Sequence, residues 1–191
     1  MKKIPLGILF ILAIPAIAQA HETGQGSGFV TGFTHPVLGL DHLLAMLSVG
    51  ILSAQMGGRA LWSVPSAFVG VMLIGGLMGM NAVPFFSVEL GIAISVFVLG
   101  IALVAEKKLP TWLAMLSVGF FALFHGHAHG TEMPETGAPT LYALGFVTGT
   151  AAIHIVGVFI GIFSKSFSSG PQFLRYVGAG IAGIGFHIII M

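Results

Sequence analysis

Two histidines and an aspartate mark the segment His35-Pro36-Val37-Leu38-Gly39-Leu40-Asp41-His42, and a run from Leu43 to Ala54 without charge follows it. Imidazole nitrogens and carboxylate oxygens bind transition metals, and an ionisable group in an apolar segment needs a partner or a function to offset its cost. In a continuous helix His35 and His42 lie about 20° apart on one face, two turns along, with Asp41 offset by about 100° from His42. Either Gly39 loosens the turn, or Asp41 accepts a ring N–H and fixes a histidine tautomer. Pro36 suits a first helical position, which places His35 near a cap. Met46, one turn below His42, is a soft donor or, more commonly, packing.

A second group is Phe124-His125-Gly126-His127-Ala128-His129-Gly130-Thr131-Glu132. His125 and His129 are four residues apart, a chelating spacing on one helix face. His127 points elsewhere if the helix persists; the glycines could instead end it and free all three rings. His154 is alone in its apolar segment, at a depth that calls for a polar cavity or a partner. Glu89 is a further candidate, with a hydrogen bond to Asn81 or to backbone as the plain alternative. His187 could simply reach the interface. His21 gains an α-amine beside its imidazole if the chain is cleaved before it.

The donors must be positioned by membrane helices. Hydrophobic residues make up 56% of the 191 and charged ones only 7%, against about 25% charged in a soluble domain. Mean hydropathy is +1.03. There is no cysteine, which excludes disulfides and thiolate metal sites. No basic run suggests a nucleic-acid partner. Lys2 and Lys3, the apolar stretch Ile4 to Ile17 and Ala18-Gln19-Ala20 have the three parts of a signal peptide over residues 1–20. Residues 21–191 then form one domain. Six apolar segments follow at Phe29–Ser53, Leu61–Met80, Phe85–Ala105, Trp112–His127, Leu141–Phe163 and Phe173–Met191, most of them close to the ~20 residues that cross a bilayer. The expected fold is an all-α bundle of about six transmembrane helices. The pairs Gly75/Gly79, Gly145/Gly149 and Gly157/Gly161 allow close helix contact.

Arg59, Lys107, Lys108, Lys165 and Arg175 fall in or beside alternate loops, and the other loops carry Glu132 and Glu135 without Lys or Arg. By the positive-inside rule the first set is cytoplasmic. The mature amino and carboxyl termini are then periplasmic, on a bacterial inner membrane. All histidines except His154 lie towards the outer third, as a funnel open to the periplasm would place them.

The residues also resemble the HupE/UreJ family of bacterial nickel and cobalt permeases. The match runs through His35-Pro36-x-x-Gly39-x-Asp41-His42-x-x-x-Met46-x-x-Val49-Gly50. It continues in His125-Gly126-x-Ala128-His129-Gly130-x-Glu132, and more loosely from Gly145-Phe146 to His154-x-x-Gly157. Imidazole and carboxylate alone suit nickel, cobalt, zinc or copper(II); the resemblance implies nickel or cobalt uptake for hydrogenase or urease maturation. His35, Asp41, His42, His125, His129, Glu132 and His154 are the expected metal residues of such a permease. The ion is cargo, no resident cofactor is expected, and the bilayer is the other partner. Two other classes fit parts of the pattern. An intramembrane metal hydrolase needs three fixed ligands, an open position and a base such as Glu89 or Asp41. A bis-histidine haem protein needs paired histidines at matched depth.

The charge pattern makes one topological prediction. A reporter active only in the periplasm, fused after Met191, should be active, and one active only in the cytoplasm should be silent. The reverse result would place the terminus inside.

Overall fold

The computed structural model describes residues 28–106, 109–133 and 138–191. The signal-peptide reading, His21, Lys107, Lys108 and Glu135 lie outside them. Every regular element described is a helix: α1 Gly28–Leu38, α2 Leu40–Met56, α3 Ala60–Met80, α4 Val88–Ala105, α5 Thr111–Thr131, α6 Pro139–Ser164 and α7 Gly170–Ile190. The last five are long and apolar enough to cross a membrane, and α1 with α2 reads as a broken sixth span. Pro139 and Pro171 open α6 and α7, where a missing N–H costs nothing.

The apolar surface faces outward as well as inward. Trp62, Trp112, Phe159 and Phe163 are among the most exposed side chains, as expected where lipid is the solvent. The two tryptophans open α3 and α5 at the same end of the bundle, the usual place of an interfacial aromatic belt. Helix α2 is the centre: it packs on α1, α3, α4, α5, α6 and α7. Met46 is fully buried in its apolar core beside Ala45 and Val49, so packing is the role the structure gives it.

The first segment departs from a continuous helix. It bends by 80° between Leu38 and Leu40, with Gly39 extended at φ −75°, ψ 110°. Pro36 lies in the last turn of α1, not at a first helical position, and its ring packs by Gly149. A proline has no N–H to donate to the preceding turn, and the extended glycine after it completes the break. His35 and His42 therefore sit on two helices. Helix α6 carries both pieces: Gly32 of α1 lies against Tyr142, and Gly50 of α2 against His154.

Helix α5 runs four residues beyond the expected His127, to Thr131, and does not end at the glycines. Gly126 and Gly130 lie flat on α3, where a Cβ would strike the carbonyl oxygens of Met72 and Gly76; Gly75 and Gly79 of α3 meet the carbonyls of Leu123 and His127 in return. The contact replaces what glycine loses in helix propensity.

This interface predicts a contrast between two conservative changes. Gly126→Ala should lower stability by about 1–3 kcal/mol through backbone collision. Gly183→Ala, where an added Cβ meets no described neighbour within 4 Å, should not lower stability and should raise it by up to about 1 kcal/mol through helix propensity. Thermal unfolding of the purified proteins in detergent measures both.

Candidate metal-handling site

The bend at Gly39 and the straight run of α5 bring four imidazoles from three helices together. Ring centroids are 4.9 Å apart for His35 and His129, 4.7 Å for His42 and His129, 4.8 Å for His42 and His125, and 6.0 Å for His35 and His42. Two imidazoles on one ion, with metal–nitrogen bonds of about 2.0–2.1 Å, hold their centroids roughly 4.5–5.2 Å apart. Three of these spacings are those of neighbouring ligands, and His35 and His42 stand farther apart. The rings pack mostly edge to face, and among the described residues no three His, Asp or Glu side chains converge as a finished coordination shell. Closing on an ion takes ring rotation.

Hydrogen bonds fix the tautomers. Asp41 Oδ1 accepts both the backbone N–H of His42, at 2.7 Å, and its ring Nδ1–H, at 2.9 Å. A carboxylate only accepts, so the His42 proton is on Nδ1 and Nε2 keeps a lone pair. Ser95 of α4 donates its hydroxyl to the Ile92 carbonyl at 2.6 Å, so its oxygen accepts from His125 Nε2–H at 2.9 Å. That leaves the lone pair of His125 on Nδ1. His42 Nε2, His125 Nδ1 and both nitrogens of His129 are buried with no partner among the described residues. An orphaned polar atom in such surroundings carries a desolvation cost that a cation would offset.

At the rim, His35 Nε2 donates to Glu132 Oε2 at 2.8 Å. This bond holds the Glu132 carboxyl below its ordinary range, against the opposing effect of partial burial. The carboxylate, about half exposed, stays charged down to lower pH than a free glutamate and sets negative charge at the mouth.

Deeper in, His154 is buried and neither ring nitrogen has a partner among the described residues. Phe68 of α3 contacts both His125 and His154, its ring centroid 5.5 Å from the first and 5.2 Å from the second. His127 points away from the group, as its position between His125 and His129 on a continuous helix requires. It donates Nε2–H to the Val83 carbonyl at 2.9 Å and stacks on Phe85. Glu89 and His187 are exposed and outside the cluster.

Ser95 and Phe68 were not among the sequence-level candidates. Ser95 had a signal, as the one hydroxyl inside α4. Phe68 had none, being one of 16 phenylalanines.

Fold and site define a polytopic helical membrane protein with an imidazole-lined interior. The chain matches the HupE / UreJ protein family over residues 9–188. It is 42% identical to protein HupE of Rhizobium leguminosarum bv. viciae over 183 residues, 95% of each chain. The chain belongs to the HupE/UreJ family. No solved structure matches it.

The tautomer network yields a prediction. Ser95→Ala removes the acceptor that His125 Nε2–H has among the described residues, and leaving a buried donor unpaired costs about 1–3 kcal/mol. Denaturant unfolding in detergent should show a loss of that size; no change would mean that Ser95 does not hold His125.

Proposed function

We propose that this protein is a permease that carries a divalent transition-metal ion, nickel or cobalt, into the cell across the bacterial inner membrane. One observation carries this reading: His35, His42, His125 and His129 pack ring on ring, with unpartnered, buried nitrogens on three of them. Imidazoles with nearby carboxylates suit borderline cations, whereas magnesium and calcium favour oxygen. Membership of the HupE/UreJ family supports nickel and cobalt among these.

The ion enters past His35 and Glu132, and the negative charge of the Glu132 carboxylate favours a cation over an anion. His42, His125 and His129 replace water ligands as it descends. Asp41 and Ser95 keep the free lone pairs of His42 and His125 available to it. A site that needs ring rotation to close suits cargo: conduction needs binding strong enough to enter and weak enough to leave. His154 receives the ion deeper in the bundle. The mouth faces the periplasm, as the loop charges indicate, and the delivered metal serves hydrogenase or urease maturation.

Uptake of radiolabelled nickel and cobalt by cells lacking their own importers tests this directly. Cells making the protein should accumulate one or both ions; no accumulation of either would overturn the reading. His42→Ala and His129→Ala should each abolish most uptake, and the double variant should lose little more, because the second change acts on a site already lost. Additive losses would mean two separate sites.

A further inference from the structure

The path from mouth to interior follows one stripe of α6. Tyr142, Phe146, Thr150 and His154 recur every four residues and are all buried. Each faces a different partner. Tyr142 lies 6.4 Å from the ring of His35, and Phe146 stacks on His129 at 5.1 Å with 11° between planes. Thr150 Oγ1 meets the Met72 sulfur at 3.7 Å. His154 meets the edge of Phe68. Phe68 and Met72 are themselves one turn apart on α3, which packs on both α5 and α6. One apolar ring thus touches an imidazole of the outer group and the deeper one. His125 and His154 both contact Phe68, on α5 and α6 respectively.

We propose that the Phe68 ring is the barrier between an outer cation position, at His42, His125 and His129, and an inner one at His154. The inference rests on the transport reading and adds the residue that sets the rate of passage. An aromatic face attracts a cation but supplies no lone pair to replace a lost imidazole. An ion leaving His125 for His154 therefore passes a point with poorer coordination, and crosses only when the ring swings aside. Phe68 is fully buried and closely packed, so that swing is slower than the rotamer hops of exposed side chains. The ring separates two stations while leaving the outer one intact. It governs the rate of transfer and not the affinity of capture.

The test separates those two quantities in a size series at position 68. Initial uptake of radiolabelled nickel is measured in proteoliposomes, and equilibrium binding of nickel chloride is measured on the purified protein in detergent. Phe68→Trp should slow uptake by about tenfold, while nickel affinity stays within about twofold of the parent. Phe68→Leu, which narrows the barrier, should transport at least as fast as the parent. His154→Ala should keep nickel binding at the outer position and lose uptake. Melting temperature and nickel binding report whether each variant folds. Should the tryptophan variant fail to fold, the leucine variant decides: slower uptake with intact binding overturns the proposal. Unchanged uptake in a folded tryptophan variant, or uptake and affinity falling together in both variants, also overturns it and assigns Phe68 to packing. Parent protein that binds and transports nickel in those cases leaves the permease reading standing. Parent protein that transports neither nickel nor cobalt removes both.

Discussion

A neutral imidazole has one nitrogen that donates and one that accepts, and a single acceptor from the protein satisfies only the donor. The interior of this protein is built on that asymmetry. Asp41 takes the proton side of His42, Ser95 that of His125, Glu132 that of His35 and the Val83 carbonyl that of His127. The remaining lone pairs of His42, His125 and His127 are buried and unpaired, as are both nitrogens of His129 and His154. In a bilayer such atoms are too costly to be incidental. The rings of His42, His125 and His129 neighbour one another, which gives the site its chemistry.

Holding imidazoles there depends on backbones that approach closely. Helix α5 alternates histidine with glycine and alanine, so its two faces have opposite tasks. Gly126 and Gly130 lie against the α3 backbone, and this contact turns His125 and His129 towards α2. The break at Gly39 does the complementary work. It lets α1 fold over the mouth so that His35 reaches His129 and Glu132, while α2 descends through the centre with His42 facing α5. Helix α6 aligns both pieces by carrying α1 along its first half and α2 along its second.

Much of this was legible in the chain. The spacing of His125 and His129 placed them on one face, the continuous helix put His127 on another, and Asp41 beside His42 had the position of a tautomer-fixing carboxylate. Composition gave the six apolar segments. The grouping of His35 with His129 was not legible, because it depends on an 80° bend that α6 supports from a hundred residues away. A local reading put His35 and His42 on one helix face instead. Glycines beside histidines left open whether α5 ended early, since the α3 backbone that decides it is remote in sequence. Phe68 gave no sign, because a phenylalanine in contact with two histidines looks like any other core residue until its neighbours are known.

The central claim is that imidazole nitrogens hold the cation. X-ray absorption at the nickel edge, on purified protein loaded with nickel, reports the atoms bound to the metal. Several imidazole rings are expected in the outer-shell scattering of the parent protein, and a reduced imidazole contribution in His129→Ala. A shell of oxygen atoms alone, unchanged by His42→Ala and His129→Ala, would contradict it.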